Sequence, residues 1–546
     1  MITKAATYEE IYKSFRWAIP DQYNIATDVC DRHASGPDRL ALIVEGADAS
    51  VTRFSFRDIQ RQANKLANVF LANGCKRGDR VMLLLGQDPI AAIAHVACWK
   101  AGLVSLPTSV LFGADAVAYR LSDSGAVIAI TDLENYPKLA EAREQAGALR
   151  HVFLADGAAP NARHITTVME SASDKFTTVA TRAEDPAFIN YTSGTTGWPK
   201  GALHAHRVML GHMPGTEFPH DFFPQPGDCM WSPADWSWLA GLMDILMPAW
   251  FYGVPVVAFR AKKFDPEHAY YLMGKHAVRN SLLTPTTLKL MREVRDGPAR
   301  SGTKLRSVIS GGESVGKELL EWSSAVLGVS VNEVYGQTEC NLVLGNCASV
   351  MSIKPGSLGK AIPGHVAAIV NDRGEVLGAG ESGNIAFLRP DPVMMLEYWG
   401  KPDATREKYA GDWLLTGDQG AMDEDGYFWF QGRTDDVITS SGYRIGPSEI
   451  EDALGRHPAV LMAAAIGVPD PLRTESIKAF VILRSGITGS PALSDEIREY
   501  VRDRLAKHEV PRELEFVPSL PMTTNGKIIR RELRDQEAAK RGHGNK

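Results

Sequence analysis

From Tyr191 to Gly201 the chain reads YTSGTTGWPKG, a run of small, hydroxylated and glycine residues closed by a lysine. Gly194, Gly197 and Gly201 let backbone N–H groups face a ligand with no Cβ in the way. Thr192, Ser193, Thr195 and Thr196 add hydroxyl donors, and Lys200 adds positive charge. That chemistry suits phosphate. A Walker P-loop needs G-x-x-x-x-G-K-[ST], whereas Lys200 here follows Pro199 and precedes Gly201, so the spacing argues against a P-loop nucleotidase. Ala187 to Tyr191 predicts a strand ahead of the loop, and ALHAHRVMLGHM predicts a helix after it, a frequent phosphate-binding context.

The surrounding elements predict an α/β fold. Phe56 to Asn73 carries apolar residues at helical spacing, Arg80 to Leu85 reads as a buried strand, and Pro89 to Gly102 and Val104 to Thr108 repeat the pair. Val127 to Thr131 and His151 to Leu154 continue an alternation that points to a mostly parallel sheet. Beyond Gly364 short strands separated by turns at 372–374 and 423–426 predict a smaller β-rich subdomain. GAGESG, residues 378–383, matches G-x-G-x-x-G by letter but precedes a strand, and so reads as a turn. After a charged turn near 432–436, helices at Pro447 to His457 and Asp495 to Lys507 with intervening strands predict a small α+β domain and a frayed tail past Arg534. The expected division is 1–432 (β-rich part about 364–432), a hinge at 433–436, and a mobile domain at 437–546.

Composition narrows the class. The 546 residues are 44% hydrophobic and 23% charged, as in globular proteins, and exceed what one compact core accommodates. A net charge of -6 argues against a nucleic-acid or anionic-membrane surface. The six cysteines are scattered with no C-x-x-C, which fits a reducing, cytoplasmic setting better than a disulfide framework or zinc site. No apolar leader opens the chain, and Leu239 to Phe259, its most apolar stretch, is interrupted by Asp244, Pro248, Gly253 and Pro255, so a core segment is expected and not a membrane span.

YTSGTTGWPKG recurs in company with GGES (311–314), VYGQTEC (334–340), WLLTGDQG (413–420), GRTDDVITSSGYRIGP (432–447) and PMTTNGK (521–527). In this order and spacing the strings resemble the adenylate-forming family of acyl-CoA synthetases, peptide-synthetase adenylation domains and beetle luciferases. SSGYRIGPSEIE is similar to the medium-chain acyl-CoA synthetase branch. The resemblance implies a ligase that joins a carboxylic acid to AMP at the expense of ATP, releases pyrophosphate, and passes the acyl group to coenzyme A.

The same resemblance assigns roles. Thr192, Ser193, Gly194, Thr195, Thr196, Gly197 and Lys200 would hold the β- and γ-phosphates. Glu339 would hold Mg²⁺, with Thr338 on the α-phosphate. Gly311, Gly312, Glu313, Glu333, Val334 and Tyr335 would form the adenine pocket, and Asp418 and Arg433 would meet the ribose. Lys527 would bridge carboxylate and α-phosphate, Asp435 would be the hinge, and Gly442, Tyr443 and Arg444 would line a pantetheine tunnel. Arg473 and Lys478 are candidates for coenzyme A phosphates, with solvated surface charge the competing reading. His204 and His206 read as packing residues at a helix start. Acetate-restricted relatives carry tryptophan where this chain has Gly336, so a deeper acyl pocket is expected, with Trp236, Trp238 and Gly241 near it. A medium-length, branched or aromatic acid is therefore expected before acetate. The P-x-x-x-x-G-K spacing also makes Lys527 an expected target of a lysine acetyltransferase. The alternative is a stand-alone adenylation protein loading a phosphopantetheinylated carrier; no carrier-like segment follows residue 531, which disfavours self-loading. Luciferase-type oxidation adds no motif of its own.

Overall fold

The computed structural model describes residues 1–546 except 193–198, 262, 434–435, 437, 441–442, 471–473, 504–508, 524–526 and 544–546, with backbone alone at 144, 439, 443–444, 448–449, 474 and 542–543. The chain packs as two compact units. One comprises Met1–Pro355, Gly359–His365 and Arg389–Glu407; the other comprises Gly356–Leu358, Val366–Leu388 and Lys408–Lys546. This packing groups the β-rich stretch with the C-terminal residues.

The first unit holds two large sheets. An eight-stranded sheet runs Glu397–Tyr398, Gly201–Ala205, Pro186–Tyr191, Val104–Thr108, Arg80–Leu84, Ile128–Thr131, His151–Leu154, Arg163–His164. Neighbours are parallel from Pro186–Tyr191 onward, as buried strands alternating with helices predict. The helices that cover it begin where the sequence signals starts. Phe56–Ala72 opens with a capping box between Ser55 and Asp58, and Asp88 caps Pro89–Lys100, whose proline sits in the first turn.

One expectation fails here. Residues 201–205 form a strand antiparallel to Pro186–Tyr191, paired from Tyr191↔Gly201, and the next helix starts only at Val208. Both neighbouring strands and the layers above and below bury all five residues, and a short apolar run of that kind carries no periodicity to separate strand from helix. The glycine loop therefore caps a hairpin and does not sit on a helix N-terminus.

The second sheet has nine strands in the order Lys360–Ala361, Cys340–Gly345, Val331–Gln337, Ser307–Gly311, Asn280–Leu282, Met230–Trp231, Val256–Phe259, Leu40–Glu45, Val51–Ser55. Its middle is parallel and its flanks antiparallel. The apolar 239–259 stretch is core. It forms a buried helical run through a π-helical turn at Leu242–Leu246, then the Val256–Phe259 strand. Among the described residues no helix is long and apolar enough to cross a membrane. All six cysteines are free and buried.

This unit buries His95, His204, His206, His212 and His220, and desolvation lowers each to about 3. They stay neutral in the fold, whereas in the unfolded chain they take up protons below about 6.5. Stability is therefore full above that value and lost as pH falls from about 6.5 toward 3, each histidine contributing up to about 1.4 kcal/mol per pH unit. The melting temperature is expected to drop by several degrees between pH 7 and pH 5. A flat profile across that interval would contradict the burial.

In the second unit Ala367–Val370, Ser382–Leu388, Trp413–Met422 and Tyr409–Ala410 are neighbours in an antiparallel sheet, and Phe428–Arg433 pairs with Trp413–Met422. A further sheet orders Tyr443–Ile445, Ile438–Ser440, Thr474–Leu483 and Val460–Asp470, with Glu513–Phe516 added parallel to Thr474–Leu483. The helices flanking it run Pro447–Gly455 and Pro491–Arg502, the second starting four residues before its sequence boundary because Ser490 caps it. The tail is ordered where fraying was expected: Arg530–His543 is a helix, and Arg541 and Lys540 pair with Glu513 and Glu515.

Candidate functional site

The candidate residues fall on both units. In the first, the described ends of the glycine loop meet: Thr192 N–H donates to Lys200 O at 2.9 Å, closing the hairpin. Ser193, Gly194, Thr195, Thr196 and Gly197 lie outside the described residues. Lys200 places its ammonium 5.3 Å from the centre of the Tyr398 ring. A Cβ on Gly201 would fall 2.7 Å from Ile189 Cγ2, so this glycine serves close strand packing.

Gly311 ends the Ser307–Gly311 strand and pairs with Val334 on the adjacent parallel strand. Both lie at carboxyl ends, where open α/β sheets bind ligands. A Cβ on Gly311 would lie 2.6 Å from Val334 O, and Gly312 has φ +87°, so backbone approach and a left-handed turn each require glycine. Glu313 accepts from Thr286 Oγ1 at 2.9 and 3.1 Å. Glu333 is buried and accepts from Val315 N–H at 3.3 Å, while Tyr335 is half-buried. The buried hydroxyls of Ser310 and Ser314 find no partner among the described residues, leaving polar capacity beside the two glycines.

Thr338 and Glu339 form the turn between Val331–Gln337 and Cys340–Gly345. Three contacts fix it. His204 Nε2 donates to Thr338 O at 2.8 Å, Met395 N–H donates to Glu339 O at 2.9 Å, and the Tyr398 hydroxyl donates to Glu339 Oε1. Burial holds His204 neutral, and its unpartnered Nδ1 fits the Nε2–H tautomer. His204 thus packs as expected, although in a strand and not at a helix start. His206, also buried, accepts from Ile25 N–H at 3.2 Å through Nδ1.

Gly336 precedes this turn at a bulge. A Cβ there would stand 2.3 Å from Leu342 N and 2.8 Å from Asn341 Cα. Leu342 has φ +52°, and Asn341 Nδ2 donates to Asp244 Oδ1 at 2.6 Å, while burial raises the Asp244 carboxyl well above its ordinary value. The glycine is therefore demanded by the folded-back chain, whatever the depth of a neighbouring pocket. Trp236 is buried in the core. Trp238 is partly exposed and meets Phe112 edge to face at 5.9 Å. Gly241 would put a Cβ 2.3 Å from Asp235 O.

In the second unit Asp418 and Arg433 are register partners, and Arg433 Nη1 donates to Asp418 Oδ1 at 2.9 Å. Thr416 Oγ1 accepts from Asp418 N–H at 3.1 Å across the positive φ of Gly417. Asp435, Gly442 and Arg473 lie outside the described residues; Tyr443 and Arg444 begin the Tyr443–Ile445 strand, with backbone alone described. Lys527 is exposed, in a turn where Thr523 N–H donates to Lys527 O at 2.7 Å. Just beyond it, Arg530 grips Glu451 with two bonds at 2.9 and 2.5 Å and reaches Asp436 at 3.3 Å. The lysine turn is thereby tied to the residue that follows Asp435. Lys478 differs from both of its readings. It is buried, with Glu537 at 2.7 Å and Glu515 at 2.8 Å, which commits its charge within the domain and removes it as a phosphate ligand.

Among the described residues no group of three or more His, Cys, Asp or Glu is placed to hold a metal. A single hard carboxylate such as Glu339 does fit Mg²⁺, which commonly takes one or two protein carboxylates and completes its shell with phosphate oxygens and water. Sequence reasoning missed Tyr398 and Thr286. EYWGK offered an aromatic strand ending in lysine, but nothing local links it to Glu339.

Comparison with known proteins agrees with these strings. The family model described as AMP-binding enzyme matches residues 30–399, and that for the AMP-binding enzyme C-terminal domain matches residues 449–527. An acetyl-coenzyme A synthetase of Bacillus subtilis is 34% identical over 97% of this chain and 95% of its own. The mitochondrial acyl-coenzyme A synthetase ACSM3 of Pongo abelii is 33% identical over 97% of this chain and 92% of its own. The crystal structure of the anthranilate CoA ligase AuaEII in complex with anthranoyl-AMP superposes with a TM-score of 0.87 at 27% identity, covering 96% of this chain and 99% of that one.

Proposed function

The chain belongs to the AMP-binding enzyme family and is an AMP-forming acyl-CoA ligase; on that premise we propose that it activates a medium-length, branched or aromatic carboxylic acid with ATP and Mg²⁺ and delivers it to coenzyme A. The observation that carries the proposal is the joint presence of Lys200, Glu339, Asp418, Arg433 and Lys527 at the positions the family's motifs give them.

In the first half-reaction a carboxylate oxygen of the acid bonds to the α-phosphorus of ATP as the bond to the bridging oxygen breaks, and pyrophosphate leaves with that electron pair. Two anions must meet, so the site supplies cations and donors and not a general base. Thr192 and Lys200, with Ser193, Gly194, Thr195, Thr196 and Gly197, hold the departing phosphates. Mg²⁺, held by Glu339, offsets their charge when bound, and Thr338 steadies the α-phosphate. Gly311, Gly312, Glu313, Glu333, Val334 and Tyr335 receive adenine. Asp418, an acceptor-only carboxylate, takes the ribose hydroxyls with Arg433 beside it. Lys527 bridges the two reacting anions. In the second half-reaction the thiol sulfur attacks the acyl carbon and AMP departs, as the thiol proton is lost. Rotation at Asp435, within 433–436, would remove Lys527 and bring Gly442, Tyr443 and Arg444 to the thiol path.

For the acid, the supports are the aromatic wall formed by Trp238 and Phe112 and the anthranoyl-AMP bound by a structural relative. The relatives' names run from acetyl to longer acyl groups. A pyrophosphate-release screen of C2 to C10, branched and aromatic acids, with and without coenzyme A, tests the reading. Release is expected to be at least about tenfold faster with C4 or longer or aromatic acids than with acetate, a size a hydrophobic pocket can discriminate. Acetate as the best substrate would overturn it. The buried thiols accord with a cytoplasmic setting, and the exposed Lys527 would be silenced by acetylation through loss of its charge.

A further inference from the structure

The loop at 191–201 is anchored at both roots by side chains that lie outside its motif. Tyr191, the last residue of its strand, donates its hydroxyl proton to Asp123 Oδ2 at 2.6 Å. On the far side Tyr119 donates to Pro199 O at 2.8 Å. Lys401 donates to the Tyr119 oxygen at 2.8 Å and lies 3.5 Å from Asp123 Oδ1. A hydroxyl that accepts from an ammonium is polarised toward stronger donation, so the Lys401 charge strengthens the bond on the Pro199 carbonyl. Trp399 binds the same frame, its N–H donating to Gly201 O at 2.7 Å and its Nε1 to Asp123 O at 3.2 Å.

We propose that Tyr119, Asp123 and Lys401 form a clamp that fixes both roots of the phosphate loop and thereby sets the affinity for ATP. They are positioning residues, since none is placed on the reacting atoms. The clamp rests on the reading of the loop as the ATP phosphate site. Lys401 adds a second constraint. It lies three residues beyond Tyr398, which contacts Glu339 through its hydroxyl and Lys200 through its ring face, and Lys401 N–H donates to Tyr398 O at 2.9 Å. The short turn from Tyr398 to Lys401 therefore ties the carboxylate proposed for Mg²⁺, the loop lysine and the loop root to one rigid piece of chain. A phosphate cradle made of glycine and threonine has little stiffness of its own, and ordering it costs about 1–2 kcal/mol of backbone entropy per residue. Fixing the roots lowers that cost before ATP arrives.

The test uses full-length Tyr119→Phe and Lys401→Met, variants that keep ring and stem packing. Three quantities are measured: acid-dependent ATP–pyrophosphate exchange across ATP concentration, thioester formation from supplied acyl-AMP and coenzyme A, and the rate of trypsin cleavage after Lys200. The clamp predicts a KM for ATP raised about five- to tenfold with kcat within twofold, the loss expected for one hydrogen bond of about 1–1.5 kcal/mol. It also predicts unchanged thioester formation and cleavage after Lys200 accelerated at least about fivefold. Equal losses in both half-reactions would reduce these residues to general structural support and overturn the proposal. So would cleavage unchanged in both variants. If the unaltered protein shows no acid-dependent exchange, the loop's ATP role falls, and the cleavage rates alone decide the clamp.

Discussion

Lys527→Ala is expected to lose acid-dependent ATP–pyrophosphate exchange by about a hundred- to a thousandfold, while thioester formation from supplied acyl-AMP stays within a few-fold of the unaltered protein. The asymmetry follows from charge. Only the first half-reaction brings a carboxylate onto a phosphate, and the ammonium is the group proposed to stand between them. The second has a neutral acyl carbon as its electrophile. Lys527 is exposed, and its turn is held by backbone and Thr523 contacts that alanine preserves, so the loss cannot be assigned to unfolding. Equal loss in both halves would remove Lys527 from its role. Lys527→Arg keeps the charge but changes its shape and reach, and is expected to recover only part of the rate.

Gly336→Trp is expected to disable the protein and not to narrow its acid range. From sequence alone this glycine reads as the open counterpart of a tryptophan that closes the pocket in acetate-restricted relatives. In the fold a Cβ at 336 meets the Leu342 nitrogen at 2.3 Å, closer than real Cβ atoms approach a backbone. Leu342 is itself pinned, because a Cβ on Gly215 would lie only 2.6 Å from its own, and Asn341 is held by Asp244. Neither side can yield cheaply, and overpacking of this kind costs about 1–3 kcal/mol or more. The strain falls on the turn that carries Thr338 and Glu339. Activity toward every acid, acetate included, is expected to fall at least about tenfold, with a melting temperature lower by several degrees. A variant as stable as the parent that simply prefers acetate would show that the chain relaxes around position 336.

Local pattern made much of the first unit legible. The helices at 56–72 and 89–100 announce themselves by apolar spacing and by Ser55 and Asp88 at their starts, and the parallel strands by continuous apolar runs. The strand at 201–205 was not legible, because five buried residues have no polar face to set a period. The helix at 530–543 is nearly all polar; it is held by pairing with Glu513 and Glu515, contacts across sequence that composition does not reveal. Of the site, the motif strings marked the residues but not their supports. Asp418 and Arg433 could be named separately, and strand register joins them. Lys478 looked solvated in its strand, yet carboxylates from a later strand and the last helix enclose it. Tyr119, Asp123 and Lys401 lie far from the loop in sequence and carry no motif.

The account stands on one stoichiometry: AMP, pyrophosphate and acyl-CoA formed by the purified protein from ATP, Mg²⁺, free coenzyme A and the best acid of the screen. Equal amounts of the three products are expected, with no thioester in the absence of ATP. Formation of ADP and phosphate, or pyrophosphate release without any acyl-CoA until a phosphopantetheinylated carrier is added, would contradict it.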